Sequence, residues 1–329
     1  MRIGVLCSGG DSPGMNPCIR AIVRASGLHY DKVVGIRHGY QGLLNEDFLN
    51  EKGELNFMGP REVSGLTCRG GTILNSSRCA EFEAPEGVQK AAGILDKHGF
   101  DALIVIGGNG SLTGALNLSR VWKGKVIGIP GTIDNDVLGT DATIGFPTAV
   151  QTAVEAIDKL RDTAGSHEMM FIVEVMGRHC GDLALHTAVA AGCEIVAVPE
   201  IPTSIPKIVD KLNYFRNLGK KSMVMVVAEG DDLGGASDFH KALKEEGSPY
   251  EMRVVILGHV QRGGVPCPGD RVLAAFLGTS AVAVLNKGET GKMVGYVNGE
   301  LKLSPLEDVI SGHREVKPEM MDLLDALST

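Results

Sequence analysis

Short apolar runs alternate along this chain with longer segments in which apolar residues recur at helical spacing. The short runs have the length of buried strands, and the longer segments have the periodicity of amphipathic helices. Strands are predicted at residues 2–7, 33–37, 102–106, 126–129, 171–175, 195–198, 223–228 and 254–257. Helices are predicted at residues 87–98, 148–163, 182–191 and 205–218. This alternation favours α/β architecture, with mostly parallel sheets and helices on both faces.

The length of 329 residues is enough for two domains of ordinary size. The sequence carries no short repeat, low-complexity segment or long linker. We expect two α/β lobes that share an active-site cleft, with a boundary near residues 140–146 and a return crossing near Gly258. The first predicted lobe comprises residues 1–143 and 259–312, and the second comprises residues 144–258 and 313–329.

The composition narrows the possible partners and compartments. The formal net charge of −8 argues against a general nucleic-acid-binding surface, so anionic ligands need local clusters of Arg and Lys. Seven cysteines without a C-x-x-C pair fit free thiols in a reducing cytoplasm. Met1 and Arg2 lead directly into a predicted strand, and no apolar run approaches the length of a membrane helix. We therefore expect neither a signal peptide nor a membrane span.

The strongest chemical signal is an acidic turn at residues 130–136 (Pro-Gly-Thr-Ile-Asp-Asn-Asp), directly after a predicted strand. Ligands of open α/β sheets bind outside the carboxyl ends of the strands. Of the two carboxylates, Asp134 and Asp136, one can accept a proton from a substrate hydroxyl and the other can hold a metal ion. Asp and Asn are also common turn residues, so the neighbouring motifs decide between the two interpretations.

Three glycine-rich segments supply the next signal. Residues 8–16 follow the first predicted strand, residues 107–111 follow the third, and residues 69–72 precede Arg78. Glycines let the backbone approach a bulky anion, and backbone N–H groups at a helix N-terminus attract phosphate. None of these segments is a P-loop or a clean G-x-G-x-x-G motif, and each alone could be a simple β–α turn. Together with the acidic turn they fit a triphosphate and its metal.

The second half of the chain carries polar motifs that suit a sugar phosphate. Residues 176–182 and 258–264 follow predicted strands, Arg253 lies just upstream of the latter, and Glu229 follows another strand. Arginine binds phosphate through paired hydrogen bonds, and a carboxylate accepts hydrogen bonds from sugar hydroxyls. A lone Arg at a strand end is more often part of a structural ion pair. The joint occurrence favours a binding site, and neither zinc-ligand spacing nor a nucleophile elbow is present.

With these motifs in order, the whole chain resembles the bacterial ATP-dependent 6-phosphofructokinases. The matching segments are residues 8–16, 69–72, 107–111, 130–136, 176–182, 192–194 and 258–264. The resemblance implies two Rossmann-like lobes, one binding nucleotide and one binding sugar phosphate, in a cytoplasmic homotetramer. It also implies glycolytic transfer of the γ-phosphoryl group from ATP to the 1-hydroxyl of fructose 6-phosphate, with Mg²⁺.

The resemblance also assigns roles to individual residues, with Asp134 as the general base. It places fructose 6-phosphate on Thr132, Ile133, Met176, Gly177, Arg178, Glu229, Arg253, His259 and Arg262. It places ATP on Gly10, Arg78, Cys79, Gly108, Asn109, Gly110 and Ser111, and the metal on Asp136 and Asn109. An effector site would be formed by Arg20, Arg24, Arg161, Glu194, Lys220 and Lys221.

Two glycines bear on the phosphoryl donor. The family's pyrophosphate-dependent members carry Asp at the position of Gly110 and Lys at the position of Gly131, where side chains fill the space of the nucleotide. Glycine at both positions is expected to leave that space open, which implies that ATP is the donor.

The chain also departs from the family pattern. Asn109 replaces a metal-binding Asp, and it keeps a carbonyl oxygen but loses the negative charge. Met169 replaces an Arg that a neighbouring subunit sends to the sugar phosphate. Losing one charge-assisted hydrogen bond costs about 1.5–3 kcal/mol. Leu218 and Ser222 replace basic or polar positions around the effector site, which argues against inherited allostery.

Four interpretations follow. The first is an active ATP-dependent phosphofructokinase, weakened or adapted to another sugar phosphate. The second is a regulatory subunit of a hetero-oligomer, favoured by Asn109 and Met169 and opposed by retention of the acidic turn. A pyrophosphate-dependent enzyme is opposed by the two glycines. A nucleotide-binding dehydrogenase is opposed by the absence of its glycine fingerprint.

Overall fold

A computed structural model describes residues 1–314 and 316–328. The chain divides into two compact units. Unit 1 comprises Met1–Thr132, Val137–Thr148 and Arg262–His313. Unit 2 comprises Ile133–Asp136, Ala149–Gln261 and Arg314–Thr329.

Strands and helices alternate through both units. The strands are β1 (Arg2–Ser8), β2 (Lys32–Ile36), β3 (Phe57–Met58), β4 (Ala102–Gly107), β5 (Lys125–Thr132), β6 (Ile144–Gly145), β7 (Met170–Val175), β8 (Ile195–Ala197), β9 (Met223–Ala228), β10 (Met252–Ile256), β11 (Lys292–Val297) and β12 (Glu300–Pro305). The helices are α1 (Met15–Gly27), α2 (Gly39–Leu44), α3 (Pro85–Lys97), α4 (Asn109–Val121), α5 (Phe146–His167), α6 (Asp182–Ala190), α7 (Ile205–Asn217), α8 (Ala236–Glu245), α9 (Pro268–Asn286), α10 (Leu306–Ile310) and α11 (Pro318–Leu327). Short 3₁₀ helices lie at Leu66–Cys68, Ala80–Glu83 and Gly258–Arg262.

Unit 1 is built on one sheet with the strand order β12-β11-β5-β4-β1-β2-β3, and β6 pairs with β5. All pairs are parallel except β2 with β3 and β11 with β12. In the register, Ser8 faces Gly107 and Gly107 faces Pro130. The carboxyl ends of β1, β4 and β5 therefore lie at one edge of the sheet, where ligand sites of such sheets form.

Unit 2 is built on a four-stranded parallel sheet with the order β10-β7-β9-β8. Every residue of β9 is buried, because separate apolar clusters cover the two faces of the sheet. Such continuous burial is typical of parallel sheets covered by helices on both sides. The ends of β7 and β9 are again level, since Val175 faces Ala228.

The predicted strands and helices are all present, and the prediction of mostly parallel sheets is confirmed. The sequence pattern missed β3, β6, β11 and β12. Strands β11 and β12 form an antiparallel hairpin whose turn contains Asn298 and Gly299, a common hairpin signal. The hairpin was missed because β12 is mostly exposed and has no apolar run.

Helix α9 corrects one expectation about apolar segments. By length and composition, its 19 residues would be enough to cross a membrane. Half of this apolar segment is buried within the protein, and the helix belongs to the core of unit 1. Core helices of soluble proteins meet the same criterion, so this helix is weak support for a membrane span.

A buried carboxylate holds the start of the long helix α5. Asp270, which has no exposed surface, accepts hydrogen bonds from Gly145 N at 2.7 Å, from Thr148 N at 3.0 Å and from Thr148 Oγ1. Gly145 directly precedes the helix and Thr148 lies in its first turn, where the backbone N–H has no intrahelical acceptor. Burial raises the pKa of Asp270 to about 6, and the hydrogen bonds oppose that shift.

We predict a pH-dependent stability that depends on Asp270. An unfolded Asp carboxyl titrates near 3.8 and the folded one near 6, so between these values the folded protein holds a proton that the unfolded chain has released. The free energy of unfolding should therefore fall as pH rises through this window, by on the order of 3 kcal/mol. Asp270→Asn should remove this contribution from urea-unfolding midpoints measured between pH 4 and 7. Asp322→Asn, at an exposed position on α11, is the control, and identical pH profiles for both variants would contradict the prediction.

Candidate functional site

The first glycine turn of unit 1 follows β1 and leads into α1. Gly9 and Gly14 have φ angles of 85° and 96°, which favour glycine. Arg262 lies against this turn, because its Nη1 donates to Asp11 O at 3.2 Å. A Cβ at Gly10 would lie 2.6 Å from the same atom. The structure therefore brings together Gly10, assigned to ATP, and Arg262, assigned to the sugar phosphate.

The second glycine turn is tied to the first by buried hydrogen bonds. Ser111 Oγ donates to Ser8 O at 2.9 Å, and Tyr40 OH donates to Ser111 O at 2.7 Å. The hydroxyl of Ser111, predicted to bind ATP, thus joins β1 to the N-terminus of α4. That helix begins at Asn109 after Gly108, and Gly108 lies beside Thr132. A helix N-terminus in this place is suited to phosphate.

The third glycine segment is held by a buried asparagine. Asn16 Nδ2 donates to Arg69 O at 3.1 Å and to Gly70 O at 2.9 Å, and Asn16 Oδ1 accepts from Ile73 N at 2.7 Å. Asn16 is 1% exposed, so its side chain positions the whole segment from within unit 1. Sequence reasoning missed this role, although Asn16 closes the first glycine motif. Arg78 is exposed, whereas Cys79 packs in the core of this unit.

Gly110 and Gly131 differ in their surroundings. A Cβ at Gly110 would meet nothing within 4 Å, which fits the expected open space. A Cβ at Gly131 would lie 2.9 Å from Ile106 Cγ2 and 3.4 Å from Met15 Cε. The expectation that both glycines border open space is therefore wrong for Gly131, which packs against β4 and α1.

In unit 2, the structure brings the predicted base close to an arginine. Asp134 is 4% exposed, and its Oδ2 lies 3.8 Å from Nε of Arg178. Arg178 belongs to the loop of residues 176–182, which we call the arginine loop. Its φ angle of 51° is uncommon for a non-glycine residue, and the preceding Gly177 has a φ of 140°.

Side chains and a close backbone approach hold the arginine loop in this conformation. Arg178 N donates to Glu229 Oε1 at 3.0 Å, and a Cβ at Gly230 would lie only 1.6 Å from Arg178 O. Met176 N donates to Oε1 of the fully buried Gln261 at 2.9 Å. Gly181 N donates to Glu200 Oε1 at 2.9 Å. The sequence analysis did not predict these roles of Gln261 and Glu200, although Gln261 lies in the motif at residues 258–264.

Different surroundings are found at Arg253 and His259, predicted for the sugar site, and at Met169, where the chain departs from the family pattern. Arg253 lies on β10, is exposed and pairs with Glu251 at 2.5 Å. His259 is exposed on the 3₁₀ helix that follows β10. Met169 is half-buried and packs against the apolar core of unit 2, which contains Ala164 and Phe171.

Part of the predicted effector site is assembled in unit 2. Glu194 is 3% exposed, accepts from Val224 N at 2.8 Å, and lies 3.0 Å from Lys220 Nζ and 3.8 Å from Arg161 Nη1. Lys221 is not part of this group, since it pairs with Glu168 at 2.6 Å. Arg20 and Arg24 lie on α1 in unit 1. A role for these residues in effector binding stays a prediction.

The donors predicted for Mg²⁺ fit a metal held mainly by phosphate. Asp136 supplies a carboxylate in unit 2, and Asn109 supplies a carbonyl oxygen in unit 1. Within residues 1–314 and 316–328, no group of three His, Cys, Asp or Glu side chains could hold a metal ion. Mg²⁺ commonly binds one or two carboxylates together with substrate phosphates, and each of these donors by itself is of a type that this mode uses.

Comparisons of the sequence place the chain among known proteins. A sequence model described as Phosphofructokinase matches residues 2–285. A relative from Paenibacillus macquariensis named ATP-dependent 6-phosphofructokinase is 48% identical, over 99% of this chain and 98% of that protein. One from Thermus thermophilus, named ATP-dependent 6-phosphofructokinase 1, is 46% identical over 99% of each. The chain therefore belongs to the phosphofructokinase family.

Solved structures agree with this membership. The phosphofructokinase from Saccharomyces cerevisiae matches with a TM-score of 0.84 at 34% identity, covering 99% of this chain and 48% of that chain. A pyrophosphate-dependent phosphofructokinase from Marinobacter aquaeolei matches with a TM-score of 0.82, covering 100% of this chain and 92% of that chain. Its identity is 21%, so the likeness concerns the fold alone. The expected Rossmann-like α/β lobes with mostly parallel sheets are confirmed.

We predict that the arginine loop depends on the absence of a side chain at residue 230. Gly230→Ala would push a methyl group against Arg178 O, so the loop backbone must move. The cost of overpacking should lower the melting temperature by at least about 3 °C. Gly165→Ala, on α5 with nothing within 4 Å of the added Cβ, should leave it unchanged or slightly raised. Equal melting curves for the two variants would contradict this account of the loop.

Proposed function

We propose that this chain catalyses transfer of the γ-phosphoryl group from ATP to the 1-hydroxyl of fructose 6-phosphate, giving fructose 1,6-bisphosphate and ADP. The observation that carries the proposal is the buried Asp134 at the end of β5, with Arg178 Nε 3.8 Å from its Oδ2. Relatives that are 46–48% identical along their whole length are named for this activity. The reaction is a step of glycolysis, which fits a protein of the cytoplasm.

In the proposed reaction, Asp134 accepts the proton of the sugar 1-hydroxyl as its oxygen attacks the γ-phosphorus. The bond from this phosphorus to the β–γ bridging oxygen breaks, and ADP leaves with that electron pair. Phosphoryl transfer depends mainly on positioning and on neutralisation of negative charge. Arg178 supplies a cation next to the base, and a fixed cation stabilises charge that develops in the transition state.

The glycine turns of unit 1 bind the nucleotide phosphates in this proposal. The N-terminus of α4 presents backbone N–H groups at Asn109 and Gly110, and the Ser111–Ser8 hydrogen bond keeps the turn rigid. Bound Mg²⁺ would neutralise charge on the β- and γ-phosphates. Asp136 would hold it with its carboxylate and Asn109 with its amide oxygen.

A second candidate is a regulatory or catalytically weakened subunit. Two observations favour it: Asn109 brings no charge to the metal, and Met169 packs in the apolar core of unit 2. Both weaken binding of charged partners and neither removes the base. The active enzyme therefore stays the main proposal. The family resemblance implies that this enzyme is a homotetramer, and effector control is a separate question.

We predict that Asp134→Ser lowers kcat by a factor on the order of 10² or more, since a positioned general base contributes on this scale. A coupled assay of purified protein with fructose 6-phosphate and ATP measures the effect. Asp210→Ser, at an exposed position on α7, is the control and should keep wild-type turnover. Near-normal turnover of Asp134→Ser would exclude Asp134 as the base.

We also predict that ATP is the donor and that pyrophosphate supports little turnover. Gly110→Asp should raise the KM for ATP by at least about tenfold, because the carboxylate would enter open space and repel phosphate. Its melting temperature should match that of wild type, since the added Cβ meets nothing within 4 Å. A wild-type preference for pyrophosphate in initial-rate assays would refute this assignment. Inactivity with both donors would instead favour the regulatory subunit.

A further inference from the structure

The residue between the two carboxylates of the acidic turn is itself held in place. Asn135 has no exposed surface and a φ of 54°, and its Nδ2 donates to Asp182 Oδ2 at 2.7 Å. Asn accepts the left-handed conformation more readily than most residues. A buried hydrogen bond to a charged acceptor is short and strong, so it fixes the side chain and with it the turn.

Asp182 is well suited to act as the anchor of this hydrogen bond. It is 2% exposed and is the first residue of α6, where the helix dipole favours a negative charge. His186 Nδ1 lies 3.5 Å from Oδ1, and Arg314 Nη2 lies 3.5 Å from Oδ2. Burial by itself would raise the pKa of Asp182, but its contacts with His186, Arg314 and Asn135 lower it overall.

A second contact joins the residues around Asp182 to the acidic turn. Arg314 N donates to Asp136 O at 3.3 Å, so Arg314 contacts both the turn and the anchoring carboxylate. His186 Nδ1 also lies 2.9 Å from Asp182 O, one helical turn away, which orients the imidazole towards the carboxylate. The acidic turn is therefore held by the side chain of Asn135 and by the backbone carbonyl of Asp136.

We propose that Asp182 is a positioning residue that orients the base Asp134 through Asn135, with His186 and Arg314 keeping the Asp182 carboxylate in place. This inference rests on the proposed function, and it adds to it a determinant of turnover outside the residues that touch the substrates. Small displacements of a reacting group reduce rates strongly, by up to about 10²-fold for about 1 Å.

Asn135→Gly gives the most direct test. Glycine adopts a φ of 54° without strain, so the variant removes the amide and keeps the backbone conformation. Asp182 also retains its contacts with His186 and Arg314, and the substitution itself changes no charge. The matched control is Asn298→Gly, at an exposed asparagine with a φ of 51° in the β11–β12 turn. Asp182→Asn, which keeps the shape of the side chain, is the second test variant.

We expect Asn135→Gly and Asp182→Asn to lower kcat about tenfold or more. The Kd for ATP measured without Mg²⁺ should stay within about twofold, since the glycine turns lie in unit 1 and Asp136 would contact ATP only through the metal. Asn298→Gly should match wild type in both constants. A purely structural role would instead lower the melting temperature without this split between kcat and the Kd for metal-free ATP. Wild-type kcat in Asn135→Gly would overturn the inference, even if Asp182→Asn fails to fold.

Hydrogen exchange separates failure of this inference from failure of the proposed function. Peptides that cover residues 131–137 should exchange at least about tenfold faster in Asn135→Gly than in wild type, with other peptides unchanged. This readout needs no turnover, so it also applies to a wild type that is inactive with ATP and fructose 6-phosphate. Unchanged exchange in these peptides would overturn the inference, whatever the activity.

Discussion

The parallel register of β1, β4 and β5 is the constraint on which the position of the turns after these strands depends. Ser8, Gly107 and Pro130 lie side by side, so three turns begin at one level of the sheet. The strands are buried almost throughout, and a slip in register would displace many packed side chains. Hydrophobic burial therefore sets the spacing of the turns, and the Ser111–Ser8 hydrogen bond joins two of them directly.

Unit 2 also places its loops at the ends of parallel strands, but polar side chains hold the arginine loop. Gln261, Glu229 and Glu200 each accept one backbone N–H of this loop. Left-handed non-glycine residues cost about 1–3 kcal/mol and persist only where the surroundings determine them. The conformation of Arg178 is thus sustained by acceptors that come from the ends of other strands.

Turns are positioned by buried strands in unit 1 and by polar side chains in unit 2, and this difference explains what the sequence could predict. Buried strands have a local pattern, so most of the parallel strands, though not β6 and β11, were predicted from apolar runs. Asp134 and Arg178 were predicted because each lies in a motif directly after such a run. Asn16, Gln261 and Asp182 act through contacts with segments distant in sequence, which no local pattern reveals. The wrong expectation at Gly131 has the same cause, because only the folded chain brings Ile106 and Met15 against it.

The cost of holding the base bears on whether the chain is an enzyme or a regulatory subunit. The departures from the family pattern, Asn109 and Met169, affect groups that bind charged partners. The acidic turn and the arginine loop, by contrast, are held by a buried hydrogen bond from Asn135 to Asp182 and by a left-handed Arg178. Burying a charge and straining a backbone both lower stability, and such strain is concentrated at functional sites. Its presence near Asp134 favours the active kinase over the regulatory subunit.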